Sequence, residues 1–216
     1  MGLPCPRPAR VVLEGRYARL EPLSASHAEG LFAASSGPGA DARFAYLADD
    51  PPRGRNDLGL WIEKFSATQD PLFWAVIDAA SGRAAGRQAL MRVVPEHGVI
   101  EIGHILWGPA IARTRAATEA LYLAARYVFE DLGYRRFEWK CHSKNEASKA
   151  AALRFGFSYE GLFRQHMVVK GASRDTAWFA MLDGEWPALR REYDRWLEPS
   201  NFDAEGKQRS KLKVRE

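Results

Sequence analysis

The stretch IARTRAATEA, residues 111–120, sets Arg113 and Arg115 directly ahead of an alanine-rich run. A helix beginning near Arg115 leaves its first backbone N–H groups without intrahelical partners, and its dipole puts partial positive charge there. Ala116 and Ala117 let another group approach those amides closely. Thr114 and Thr118 offer hydroxyl donors, and the two guanidinium groups suit phosphate oxygens. Taken alone, the decapeptide reads more readily as an exposed helix start with two surface arginines. It lacks the Gly-Lys-Thr of a P-loop and the strand-linked glycine pattern of a dinucleotide fold.

The elements around this stretch must position it. RVVLEGRYARLEPL (10–23) reads as a strand pair broken at Gly15, and SASHAEGLFAAS (24–35) as a short helix capped by Ser24. Residues 36–56, rich in Gly, Pro, Asp and Arg, read as a long loop of the functional or mobile kind. Leu58, Trp61, Ile62 and Phe65 have the spacing of an amphipathic helix over 57–67. The period then changes to that of strands at 71–78, 84–94 and 98–107. In the last, Ile100, Ile102, His104 and Leu106 share one face, and Val99, Glu101, Gly103, Ile105 and Trp107 the other. Both faces are largely apolar, which predicts a central strand covered on both sides.

Ala117, Leu121, Ala124, Val128 and Leu132 form the helical stripe that follows, stopping at Gly133. A strand at 135–141 and a helix at 146–155 capped by Asn145 come next. A hairpin (157–170, 175–182) closes around GASR, and Trp186, Leu189, Tyr193 and Trp196 line a last helix. The order predicts an α+β domain with a mixed, mostly antiparallel central sheet flanked by helices. It would occupy residues 10–198, between a flexible N-terminus (1–9) and a basic, disordered tail (199–216).

The run from EIGHILW (101–107) to GFSYEG (156–161) resembles the central motifs of the GNAT (Gcn5-related) N-acetyltransferases. The branch it is most similar to is that of the ribosomal-protein N-terminal acetyltransferases. Four pieces carry the likeness in order: the EIG strand, the ATEAL helix entry, NEAS capping a second helix, and GFSYEG. The flanks LEGRYARLEPLSASHAEGL and RDTAWFAMLDGEWP also look like this branch, so the resemblance covers most of residues 10–190. It implies the acyl-CoA acyltransferase fold with a splayed central strand pair, and acetyl-CoA as cosubstrate.

Carried over residue by residue, the resemblance puts the pyrophosphate on Arg113, Thr114, Arg115, Ala116, Ala117 and Thr118. Ile105, Leu106 and Trp107 would hold the pantetheine arm and polarise the thioester carbonyl. Asn145 and Ser148 would lie across the splay, Asn145 contacting the arm. The family's loop is Arg/Gln-x-x-Gly-x-Gly/Ala, but here Ala112 stands in the leading place and Arg115 in that of the first glycine. Arginine permits close backbone approach only if its side chain turns away; Arg115 is therefore expected to point outward and reach phosphate from the rim.

Transfer needs an amine freed of its proton, a carbonyl held for attack and an acid for the leaving thiolate. Glu101, His104 and His142 are candidate bases. The resemblance favours Glu101, which family members often use through a water. His104, on the opposite face, is expected as a core histidine, so that at most one of the two looks into the cleft. Ser148, or a tyrosine for which Tyr159 is the nearest match, is the acid that the family implies. Cys141 lacks a fixed His–carboxylate arrangement and reads as a small core residue. No His/Cys/Asp cluster has metal-ligand spacing, so no metal is expected. Arg43, Phe44, Tyr46, Trp74 and Trp178 are candidate walls for the acceptor, and Asp49 and Asp50 could meet an amine cation or close a turn.

The net charge of +4 over 216 residues suits an anionic ligand without choosing one. Lys207, Arg209, Lys211, Lys213 and Arg215 supply five basic residues in a tail with only Leu212 and Val214 to bury. Without it the rest is close to neutral, and no nucleic-acid partner is expected. No apolar run approaches 18 residues, and a cytoplasmic protein with no membrane partner is expected. The partner is an amine acceptor, a small molecule or a protein N-terminus, and a homodimer is compatible with the sequence. The competing reading is a non-catalytic acyl-CoA-binding or regulatory module.

Overall fold

The computed structural model describes residues 2–214. The chain divides into two compact units. The first comprises residues 7–93 and 101–123; the second is formed by residues up to Pro6, 94–100 and 124 onward. The fold class is the expected α+β one, with mostly antiparallel pairing in the ladders that each unit contains.

The first unit carries five strands in the order β1-β2-β3-β4-β5: β1 (Leu13–Glu14), β2 (Ala18–Pro22), β3 (Leu72–Asp78), β4 (Arg83–Val94) and β5 (Val99–Trp107). Three helices, α1 (Ala28–Ser35), α2 (Ala40–Phe44) and α3 (Arg55–Ser66), lie before β3 in sequence. The spacing in α3 does what it predicts. Leu58 and Ile62 are buried with Phe73, Ala75 and Ala89 of the sheet, and Trp61 and Phe65 pack at the edge of that cluster. Each such side chain contributes about 1.5–3 kcal/mol by leaving water. The loop expected at 36–56 is partly built: it contains α2, whose Phe44 is buried, and Arg43 ties it by donating to the Ser36 and Pro38 carbonyls.

Helix α4 (Arg115–Arg126) ends in a π turn over Tyr127–Asp131, and Gly133 follows in the left-handed region, as its C-cap role requires. The second unit holds β6 (Arg136–His142), α5 (Glu146–Arg154), β7 (Ser158–Val169), β8 (Ala172–Leu182) and α6 (Trp186–Leu197), with strand order β6-β8-β7. Its interior is aromatic. Phe137, Phe157, Phe179 and Tyr193 are buried, and the Tyr193 hydroxyl donates to the Phe155 carbonyl at 2.9 Å. The hairpin turns at Lys170 and Gly171, both at positive φ; Gly171 opens GASR, and the other three residues of that stretch already lie within β8.

Both chain ends depart from expectation. Cys5, placed in a flexible start, is buried; its amide donates to Pro95 at 3.0 Å, and burial raises its thiol pKa. The tail is anchored, although its basic side chains from Lys207 to Lys213 stay exposed. Asn201 holds it through Nδ2 to the Trp196 carbonyl and Oδ1 to the Ser210 amide, both 2.9 Å, and Phe202 and Leu212 are buried. Trp196 Nε1 donates to Gln208, and the Lys213 amide to Glu192. Two apolar side chains were too few to predict this packing, but α6 supplies the remaining partners. Arg215 lies outside the described residues. Among those described, no helix is long and apolar enough to cross a membrane.

Candidate active site

A tight turn brings the chain from β5 into α4: the Ala112 amide donates to Gly108 at 2.9 Å and the Thr114 amide to Ile111 at 3.0 Å. Arg113 is left-handed, with φ 63°. The first helical bond is from Thr118 N–H to the Thr114 carbonyl at 3.3 Å, so the amides of Arg115, Ala116 and Ala117 come before it. The small side chains of Ala116 and Ala117 are buried and leave the approach to their amides unencumbered by bulk. The threonine hydroxyls, expected as donors to a ligand, are engaged locally: Thr114 Oγ1 donates to Ile111 at 2.7 Å and Thr118 Oγ1 to Thr114 at 3.3 Å.

Arg115 places its guanidinium 4.3 Å from the centre of the Tyr17 ring. Tyr17 lies in the turn between β1 and β2, and Glu119 of α4 anchors that turn. Its buried carboxylate accepts from the amides of Arg16 at 3.0 Å and Ala18 at 2.7 Å, and from Tyr17 between them. The side chain standing where the family keeps glycine is thus drawn to an aromatic platform.

On β5 the alternation read from sequence breaks at His104, which has φ 51°. A Cβ on Gly103 would fall 2.5 Å from Met91 Sδ and 3.6 Å from Glu101 Oε1, so Gly103, Glu101 and Met91 share a face. Met91 alternates with Ala89 and Arg87 along β4, and Ala89 belongs to the cluster under α3. His104 reaches that same face: its ring is 5.2 Å from that of Phe73. The expectation that Glu101 and His104 point to opposite faces is therefore corrected, because one left-handed residue slips the register. The slip also carries Trp107 to the other face, where its Nε1 donates to Gln88 at 3.2 Å.

This face concentrates charge. Glu101, 4% exposed at its side chain, pairs with Arg92 at 2.7 Å. Arg87, also 4% exposed at its side chain, pairs with Asp49 and lies 4.0 Å from the Trp61 ring centre. Asp49, read as a binder of an amine cation or a turn residue, is instead the counter-ion of Arg87. Burial, foremost, and then the positive charge of Arg87 push the His104 pKa below its ordinary value; Arg92 adds to this and Asp49 opposes it.

In the second unit, Asn145 caps α5 through Oδ1, which accepts from the Ser148 amide at 3.1 Å. Ser148 Oγ accepts from Trp139 Nε1 at 3.0 Å. Cys141 is buried, and burial chiefly raises its pKa, with a hydrogen bond from Ser148 opposing. Tyr159 is exposed on β7, its ring against Phe179. His142 accepts from the Lys144 amide, a turn role. Of the proposed wall residues, Trp74 is core and donates to Val11, Phe44 is buried, and Trp178 stacks on Phe163.

Residues 18–158 match the family model of the acetyltransferase (GNAT) domain. The chain belongs to the GNAT acetyltransferase family. A solved GCN5-related N-acetyltransferase from Brucella melitensis is 58% identical, with TM-score 0.96, over 98% of this chain and 96% of that one. An uncharacterized N-acetyltransferase of Bacillus subtilis, YoaA, is 29% identical over 103 residues, which are 48% of this chain; the match spans 58% of that protein's length. A ribosomal-protein-serine acetyltransferase structure from Vibrio cholerae, 18% identical with TM-score 0.69, covers 80% of this chain and 97% of its own and shares the fold.

This GNAT chain is an acetyl-CoA-dependent acyltransferase. Its α4 entry fits a diphosphate on an observation independent of the family: three successive amides precede the first helical bond, two of them on buried alanines. Arg87 and Arg92 escaped sequence reading, since a lone arginine on a strand carries no signal of what faces it.

Proposed function

We propose that this acetyltransferase moves the acetyl group of acetyl-CoA to a primary amine, a protein N-terminus or a small-molecule amine, by direct attack. The observation that carries the reading is the α4 entry, with its row of leading amides and Arg115 beside it. Within the entry from Arg113 to Thr118, the amides of Arg113, Arg115, Ala116 and Ala117 hold the pyrophosphate, those of Thr114 and Thr118 serving the turn and the first helical bond, and Arg115 adds its charge from the Tyr17 platform. Ile105, Leu106 and Trp107 bind the pantetheine arm through their backbone and polarise the carbonyl. Asn145 meets the arm with its Nδ2 hydrogens, because its Oδ1 serves the helix cap.

The thioester supplies the activated acyl group. As the C–N bond forms and the C–S bond breaks, Ser148 gives a proton to the sulfur, with Tyr159 as the second candidate donor. The amine first loses a proton to the charged face that holds Glu101. Titration calorimetry with acetyl-CoA, followed by CoA release over an amine panel, tests the reading. Binding together with turnover on at least one amine is expected. Binding without turnover on any amine identifies a non-catalytic module. Arg115→Gly is expected to weaken acetyl-CoA binding about fivefold or more, the worth of about 1 kcal/mol; an unchanged or tighter affinity removes Arg115 from the site.

A further inference from the structure

Four ionisable groups other than His104 crowd the face around β5, and they answer one another in two pairs. Arg87 has Asp49, and Glu101 has Arg92 on its Oε1. His104 differs. It is half-buried, it lies against Phe73, and among the described residues no hydrogen bond reaches either ring nitrogen. Its left-handed backbone, tolerated by histidine better than by most residues, is what turns the ring onto this face. A strained position that presents an unengaged imidazole calls for a use.

Resting on the transferase reading above, we propose that the His104 imidazole is the general base that takes the proton from the attacking amine. An ammonium R–NH3+ gives one proton to a ring nitrogen. The freed lone pair forms the C–N bond with the acetyl carbon as the C–S bond breaks. A second proton from nitrogen ends on the CoA sulfur, and the imidazolium returns the first to water. The products are the amide, the thiol and one proton. Glu101 is the weaker candidate, because Arg92 occupies Oε1 and the side chain is enclosed.

The charged groups on the face of His104 are Arg87 and Arg92 from β4, Asp49 from the segment after α2 and, from β5 itself, Glu101 paired with Arg92; β3 contributes the uncharged Phe73. Burial, with the two arginines, keeps the ring neutral at neutral pH, the state a base requires.

The test uses the full chain and its best amine. His104→Gln should lower kcat by about 10²–10⁴-fold, with acetyl-CoA affinity within about threefold of the parent. The acidic limb of the kcat profile, lying below the ordinary histidine value of about 6.5, should vanish in His104→Gln and persist in Glu101→Gln. Added imidazole should restore part of the rate of His104→Ala, which keeps the test decisive if the glutamine variant folds poorly. A kcat within about fivefold of the parent, or an acidic limb that survives in His104→Gln, overturns the proposal. A parent protein that transfers acetyl while His104→Gln keeps its rate loses only this role. A parent that binds acetyl-CoA yet acetylates no amine loses the transfer reading and this role together.

Discussion

The two units treat charge differently. In the first, although Arg83 and Glu29 pair on the surface, guanidinium and carboxylate also go inside: Arg87 and Glu101 are each 4% exposed at the side chain, and Glu119 accepts from three backbone amides. In the second, the pairs along α6 stay outside. Arg190 and Asp194 are 47% and 52% exposed, and Arg195 is 46% exposed beside Glu192. Glu138 is enclosed there too, paired with Arg136 and with Lys140, whose ammonium leans on the Trp178 ring at 3.7 Å. Enclosed pairs are costly to desolvate and often no more stable than an apolar replacement. Those of the first unit are better accounted for by the geometry they impose on one face than by strength.

Breaking the pairs should expose the difference. The largest effect is expected for Asp49→Asn, which strands the buried Arg87 cation and should cost about 3–5 kcal/mol in denaturant unfolding. Ending the chain at Ser200 removes Phe202, Leu212 and the partner of Trp196, and should cost about 3 kcal/mol by the same measurement. Tyr193→Phe deletes one buried hydrogen bond and should cost about 1 kcal/mol.

Acid titration sharpens the contrast further. The folded state holds the His104 pKa below its unfolded value, so it binds fewer protons than the unfolded chain as pH falls through about 6.5. Stability should decline over that window, and His104→Gln should flatten the decline in a melting series. At the small end, Arg190→Ala should change stability by less than about 1 kcal/mol, most of that lost in high salt. An Arg190 effect matching that of Asp49 would erase the distinction between the units.

Much of the fold follows from patterns that chemistry makes visible. Leu58, Trp61, Ile62 and Phe65 sit where helical periodicity puts them, and Asn145 caps α5 through the Ser148 amide. What escaped has physical reasons. Nothing in the residue types around His104 announces a left-handed backbone, and a single slip there reassigns the faces of β5. The tail has no periodicity of its own; Asn201, a polar residue, organises it by bonding on both sides. Cys5 lies among prolines that suggest disorder, yet its amide and thiol both find partners, Pro95 and Gly133. The α4 entry was legible as an anion seat, while Tyr17, 98 residues before Arg115 in the chain, could not be linked to it without coordinates.

Both thiols of the chain are sequestered, Cys5 at 4% and Cys141 at 5% exposure, and burial raises the pKa of each. At neutral pH neither offers an accessible thiolate. A thiol-reactive dye added to the native protein during turnover should therefore register the CoA set free and little else, giving a continuous optical assay with a silent protein background.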